Sequence, residues 1–169
     1  MFDVDGSLVD SNYLHVHTWQ RAFNDEDIAV ASWQIHRCIG MDGSTLVRTL
    51  SGDAPEDELE ILRKVLDCDD VIAATTSSRD VDTAKPEPGI VRVALDRAGV
   101  RAEEAVFVGD AVWDAHAARG AGLACIGLCS GGIARDELRA AGAEPVFADP
   151  QDLPDHLEST RIAALARGG

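Results

Sequence analysis

Acidic side chains follow short apolar runs at two places in the sequence, and a lysine stands between them. Asp3 and Asp5 are separated by a single residue near the start, and Asp110 and Asp114 lie four apart after a second apolar run. Lys85 precedes a proline at the predicted start of a helix. Four carboxylates brought together would repel one another without a cation. Because carboxylate oxygens are hard ligands, the set predicts a Mg²⁺ site.

The second half of the chain is predicted to alternate strands with helices, which would bring such residues to one place. Predicted strands cover residues 105–108, 123–128 and 145–148, and predicted helices cover 87–98, 114–121, 135–141 and a single closing stretch at 152–166. Short connections of this kind indicate parallel βαβ units. Ligands of open parallel sheets bind beyond the carboxyl ends of the strands, where the carboxylates fall.

The first half is predicted to be mainly helical. Apolar residues at spacings of three and four indicate helices at residues 12–23, 32–37, 44–50 and 57–66, and a short strand is expected at 71–75. Gly40, Gly43 and Gly52 interrupt this stretch.

Composition narrows the class of protein further. The 169 residues are 46% hydrophobic, which argues against disorder, and 30 acidic against 15 basic side chains give a net charge of −15. Such acidity argues against binding to nucleic acid or to anionic lipid. No apolar run approaches a membrane span, and no secretory signal is visible. The four cysteines are sparse and read as reduced thiols, so a cytoplasmic location is expected.

With three motifs in this order, the chain resembles the haloacid dehalogenase-like superfamily. Within it, the chain is similar to the phosphatase and β-phosphoglucomutase-like subgroup, in which the cap follows the first strand. The residues that carry the resemblance are Asp3-Val4-Asp5-Gly6-Ser7, Lys85-Pro86, and Gly109-Asp110 with Asp114. The resemblance implies an α/β fold, a Rossmann-like parallel sheet flanked by helices with a small α-helical cap insert. It places the catalytic core at residues 1–11 and 59–169 and a partial cap at 12–58.

The same resemblance implies a phosphatase acting on a small phosphorylated metabolite. Asp3 would be the nucleophile that forms an aspartyl-phosphate, and Asp5 the general acid and base. Lys85 would neutralise the phosphoryl oxygens and restrain Asp3. The implied ligands of Mg²⁺ are the Asp3 carboxylate, the Asp5 backbone carbonyl, Asp110, and Asp114 directly or through water. His15, on the first cap helix, is a candidate substrate contact.

Several alternatives stay open at this stage. A phosphosugar mutase would form the same aspartyl-phosphate and transfer the phosphoryl group to a second hydroxyl, and a truncated member could bind without catalysis. Receiver domains of response regulators share the acids, the lysine and Mg²⁺. Their acidic pair is adjacent and their lysine comes after the phosphorylated aspartate, so the order found here favours the phosphatase-like family. The substrate's identity and the oligomeric state are left open.

One element that the family pattern requires is missing from the expected place. A second motif should supply a Ser or Thr after another strand, and the candidates are residues 75–78 and, within the cap, Ser51. The helix at 57–66 reads as one that should follow that motif. This discontinuity predicts that a segment is absent between about Asp53 and Leu59.

Overall fold

The computed structural model describes residues 1–52 and 85–168. By internal contacts the chain divides into two compact units, whose described parts are residues 11–52 and residues 1–10 with 85–168. The helix predicted at 57–66, the strand at 71–75 and the suspected gap near 53–59 lie outside the described residues. The domain boundaries therefore stay a prediction.

The described part of the helical unit contains α1 (Asn12–Asp25), α2 (Ser32–Cys38) and α3 (Gly43–Ser51). All three were predicted within two residues of these bounds. Their apolar faces meet in a core that includes Phe23, Ile35, Leu46 and Val47. The Asp42 carboxylate accepts the Thr45 amide hydrogen at 3.0 Å and fixes the start of α3, as a capping residue does.

The described part of the second unit is an α/β layer with three parallel strands in the order β1 (Val106–Gly109), β2 (Ala124–Leu128) and β3 (Ala143–Phe147). Helices connect and flank them: α4 (Gly89–Ala98), α5 (Val112–Gly120), α6 (Arg135–Ala141), α7 (Asp152–Asp155) and α8 (Arg161–Gly168). The parallel α/β architecture predicted from the alternation is confirmed.

Burial on both faces of the sheet explains why its strands are almost continuously apolar. Phe107 and Cys125 face a core that contains Leu138, whereas Val108 and Ile126 face a second core. Short 3₁₀ turns at Ala102–Glu104 and Cys129–Gly131 lead into β1 and out of β2. The second of these turns lies beside the candidate site.

The closing helix differs from the prediction. Instead of one helix over 152–166, the chain forms α7, a 3₁₀ turn at Leu157–Ser159 and then α8. Thr160 has an extended backbone, and its hydroxyl accepts the Ile162 amide hydrogen at 3.2 Å. A side-chain oxygen that caps a new helix offers the backbone an alternative to continuing the old one, and this is why the apolar periodicity alone was misleading.

The first residues of the chain run parallel to β1 and extend the sheet pairing. Phe2 pairs with Val108, and the Asp3 amide donates a hydrogen bond to the Val108 carbonyl at 2.9 Å. The Val108 amide in turn donates to the Met1 carbonyl at 2.9 Å. Asp3 is therefore held where β1 ends. Among the described helices, none combines the length and apolar character that a membrane crossing requires.

Candidate active site

Three carboxylates gather at the carboxyl end of β1. One oxygen each from Asp3, Asp110 and Asp114 lies within 4.8 Å of the others. Asp110 and Asp114 are 2% and 0% exposed, and Asp3 is partly exposed. Pairing of residues 1–3 with β1 brings Asp3 to the loop that carries the other two, so sheet formation itself assembles the cluster.

Lys85 supplies the positive charge in this cluster. Its Nζ lies 2.8 Å from Asp3 Oδ1 and 2.7 Å from Asp114 Oδ1. The ammonium group also stands 5.6 Å from the centre of the Phe107 ring, within the range of a cation–π contact. Lys85 thus links residues that are far apart in sequence.

Asp114 is oriented by the start of α5. Its Oδ2 accepts the amide hydrogens of Asp110 and Ala111 at 3.1 and 3.0 Å, which leaves Oδ1 directed at Lys85. The helix begins two residues earlier than predicted, so Asp114 falls in its first turn, where a carboxylate can satisfy free amides. A Cβ at Gly109 would lie 2.5 Å from Asp114 Oδ2, so this arrangement needs a glycine there.

The electrostatics of the cluster follow from burial and crowding. Burial and the charge of Asp114 raise the pKa of Asp3 to about 6, although Lys85 acts in the opposite direction. For Lys85, burial alone would lower the pKa, but the carboxylates of Asp114 and Asp3 outweigh it and raise the pKa above its ordinary value. One ammonium does not balance three carboxylates, and a buried excess of negative charge is unfavourable.

Asp5 lies on a tight turn next to this cluster. Gly6 has a φ of 73°, a left-handed conformation that glycine adopts without strain. The Gly6 amide donates to the Val9 carbonyl at 2.7 Å, and the amides of Leu8 and Val9 donate to the Val4 carbonyl. The carboxylate of Asp5 is not one of the three that gather at the end of β1. A role for its backbone carbonyl as a metal ligand stays a prediction.

Comparisons with known proteins identify the family of this chain. The model of a family described as haloacid dehalogenase-like hydrolase matches residues 45–122. The solved structure of a hydrolase from Pseudomonas syringae superposes with a TM-score of 0.83 and 30% identity, over 94% of this chain and 96% of that one. The chain belongs to the haloacid dehalogenase-like hydrolases. The family predicted from the three motifs is confirmed.

Two curated proteins named as phosphoglycolate phosphatases match parts of the chain. A phosphoglycolate phosphatase from Rhodospirillum rubrum is 33% identical over 103 residues, which are 61% of this chain and 42% of that protein. One from Photorhabdus laumondii subsp. laumondii is 30% identical over 88 residues, 52% of this chain and 38% of that protein. The chain thus spans less than half the length of these relatives.

Of the site residues predicted from the sequence, the structure brings together Asp3, Lys85, Asp110 and Asp114. His15 lies on α1, in the helical unit, and is half-buried. The Ser51 hydroxyl donates to the Val47 carbonyl at 2.7 Å and is engaged in its own helix. The other candidates for the second motif, residues 75–78, lie outside the described part of the chain.

Two hydroxyls that were not among the predicted site residues also contact the site. Ser7 is 2% exposed and donates to Asp110 Oδ1 at 2.7 Å, and Ser130 donates to the Gly6 carbonyl at 2.6 Å. Ser7 stands within the first motif, so its position was a usable signal. Ser130 has only the neighbouring glycines as a signal, and these read more simply as a turn.

The cluster fits a divalent cation that prefers oxygen ligands. Three carboxylates converge within 4.8 Å and only one ammonium group, that of Lys85, pairs with them among the described residues. Mg²⁺ is bound through few carboxylates and keeps several waters, which suits a partly exposed Asp3 beside two buried aspartates. A metal at this position would offset the excess negative charge.

Proposed function

We propose that this protein is a Mg²⁺-dependent phosphatase that hydrolyses a small phosphomonoester through an aspartyl-phosphate at Asp3. The observation that carries the proposal is the position of Lys85 Nζ, 2.8 Å from Asp3 and 2.7 Å from Asp114. A lysine so placed restrains the nucleophile and can neutralise phosphoryl oxygens that approach it. Membership of the hydrolase family supports the same reaction.

In the first half-reaction, a carboxylate oxygen of Asp3 attacks phosphorus, and the bond from phosphorus to the ester oxygen breaks. Asp5 donates its proton to that oxygen, so the product leaves as an alcohol. Asp3 is fixed for attack by the amide hydrogen bond to Val108 and by Lys85. Holding the reactants in line is the main contribution of the protein to phosphoryl transfer.

In the second half-reaction, Asp5 accepts a proton from water as the water oxygen attacks phosphorus. The bond from phosphorus to Asp3 breaks, and inorganic phosphate and the free carboxylate result. Asp5 ends protonated, ready for the next substrate. Splitting one difficult step into two easier ones is the benefit of the covalent intermediate.

The residues proposed to hold Mg²⁺ are the Asp3 carboxylate, the Asp5 backbone carbonyl, Asp110, and Asp114 directly or through water. The metal would supply charge compensation for the phosphoryl oxygens and for the carboxylates. The Ser7 hydroxyl keeps the Asp110 carboxylate in place through its 2.7 Å hydrogen bond. Lys85 fixes Asp114 in the same way.

The substrate class proposed is a small phosphorylated metabolite. The curated relatives from Rhodospirillum rubrum and Photorhabdus laumondii are named as phosphoglycolate phosphatases, so 2-phosphoglycolate belongs in the first test panel. His15 stays a proposed substrate contact. A partner other than such a metabolite is not part of the proposal.

The test is phosphate release from a panel of phosphomonoesters by the full 169-residue chain with Mg²⁺ and with EDTA. Release should require Mg²⁺ and should fall at least about 10³-fold in Asp3→Asn, because the nucleophile is lost. Asp96→Asn, which changes an exposed acid on α4, is the matched control and should retain full activity. Undiminished release by Asp3→Asn would contradict the proposal, and isomerisation of hexose phosphates without net release would favour a mutase.

A further inference from the structure

The 3₁₀ turn after β2, Cys129–Gly131, touches two loops that carry site carboxylates. Ser130 Oγ donates to the Gly6 carbonyl at 2.6 Å, and a Cβ added to Gly131 would overlap Asp110 Oδ2. We propose that Ser130 is a positioning residue, which fixes the Asp3–Ser7 loop through the Gly6 carbonyl without touching substrate. The kinetic part of this inference rests on the proposed phosphatase function.

The loop needs the hydrogen bond from Ser130, here called the tether, because it contains a glycine. Gly6 has access to more backbone conformations than any other residue type would at that position. Its amide donates to the Val9 carbonyl, which fixes the peptide plane that also contains the Asp5 carbonyl. Ser130 fixes the next peptide plane, between Gly6 and Ser7. With both planes held, the two torsions of Gly6 have little remaining freedom.

A second hydroxyl secures the same loop at the next residue. Ser7 Oγ donates to Asp110 Oδ1 at 2.7 Å in a buried position, and the other Asp110 oxygen lies against Gly131. The turn after β2 therefore positions the loop of Asp3 and Asp5 through Ser130, and it limits the space of Asp110 through Gly131. Removal of the Ser130 hydroxyl should loosen the loop while leaving every proposed metal ligand and the nucleophile in the sequence.

The experiment compares Ser130→Ala with the conservative Ser130→Thr in the full-length chain. The first readout is amide hydrogen exchange of residues 4–9 in EDTA, the second is the Kd for Mg²⁺ from calorimetry, and the third is kcat and KM. Ser130→Ala should speed exchange in residues 4–9 and weaken Mg²⁺ binding, each by about 5- to 10-fold, as expected for loss of one hydrogen bond. The kcat should fall by a similar factor with KM within about 2-fold, and Ser130→Thr should restore all three.

The matched control is Ser159→Ala. Ser159 Oγ donates to the His156 carbonyl at 2.7 Å, so this variant removes the same kind of hydroxyl-to-carbonyl bond at an exposed turn before α8. It should leave exchange of residues 4–9, the Kd for Mg²⁺ and kcat unchanged.

The outcomes separate this inference from the proposed function. Unchanged exchange at residues 4–9 in Ser130→Ala, or an equal effect of Ser159→Ala, overturns the positioning role. A Ser130→Thr variant as impaired as Ser130→Ala also overturns it, because the hydroxyl would then not be the group that acts. If wild-type protein releases no phosphate while the exchange result holds, the proposed function fails and the tether stands.

Discussion

Two sets of charged contacts in the α/β unit use the same chemistry in different surroundings. At the site, Lys85 pairs with Asp3 and Asp114 at 2.8 and 2.7 Å, and the three side chains are 15%, 23% and 0% exposed. On the surface, Arg101 pairs with Glu103 and Glu104 at 3.1 and 3.0 Å, and all three side chains are more than half exposed. The distances are similar, so exposure to solvent decides how much each set of pairs contributes to stability. Water screens the surface pairs, whereas breaking the buried pairs leaves a charge uncompensated.

The sharpest test of this difference is Lys85→Met, which removes the charge and keeps most of the apolar stem. Since Asp3 and Asp114 would then lack their cation, we expect a loss of about 3–5 kcal/mol in the free energy of unfolding without metal. The measurement is urea unfolding in EDTA.

Arg101→Met is the matched control on the surface. Its pairs with Glu103 and Glu104 are exposed, so its effect should be no more than about 1 kcal/mol. Equal effects of the two substitutions would remove the distinction between the buried and the exposed contacts.

Addition of Mg²⁺ should stabilise the protein through the buried carboxylates and not through the exposed ones. If Mg²⁺ binds at the carboxylate cluster, a concentration 100 times the Kd should stabilise the protein by about 2.7 kcal/mol. Asp110→Asn keeps an oxygen that can accept the Ser7 hydroxyl hydrogen but lowers the charge, so this stabilisation should largely disappear. Asp136→Asn, on the exposed face of α6, should retain it. Thermal melts with and without Mg²⁺ report the result, and a full shift in Asp110→Asn would place the metal elsewhere.

Close packing against the cluster predicts a smaller effect. Gly131→Ala would force a Cβ into the space of Asp110 Oδ2, so we expect a loss of about 1–3 kcal/mol in urea unfolding. Gly43→Ala is the control, because its Cβ would meet Trp19 only at 3.4 Å, at the start of α3. That variant should change stability by no more than about 1 kcal/mol. A neutral Gly131→Ala would show that the turn after β2 has room to move.

The smallest effect is expected at an exposed pair. The ring of His156 lies 3.0 Å from the Asp152 carbonyl and 3.1 Å from its Oδ1, and the carbonyl contact is the main reason that its pKa is raised above 6.5. A raised pKa means that the contact stabilises the fold below about pH 6.5 and loses this effect as pH rises through the folded-state pKa. In Asp152→Asn, NMR titration should show the pKa partly lowered. An unchanged value would assign the shift to the backbone carbonyl and to the charge of Asp155.

Much of the fold could be read from sequence because its signals are local. Apolar runs bounded by glycine predict β1 and β2, and spacings of three and four predict α1 to α3, since these patterns depend only on residues near one another. The prediction of one closing helix was wrong because a side-chain contact decided the local structure. The Thr160 hydroxyl competes with the helix for a backbone amide, and apolar periodicity does not register that competition.

The members of the charged cluster could be selected from the sequence, whereas the residues that support the cluster could not. Residue types and order sufficed to select Asp3, Lys85, Asp110 and Asp114. Ser130 was not selected, because a lone serine beside glycines is typical of an ordinary turn. Its partner, the Gly6 carbonyl, is 124 positions away along the chain. The residues expected to contain the second motif remain a prediction.

The sequence by itself determined the family, the parallel α/β architecture and the selection of the carboxylates and the lysine that gather at the end of β1. It also determined the acidic excess, but not which acids are buried. Only the tertiary structure decided that Asp110 and Asp114 are buried, whereas Glu103 and Glu104 are left in water. The reason is that burial and distance depend on strand pairing between residues about a hundred positions apart, and the energy of a charge depends on both.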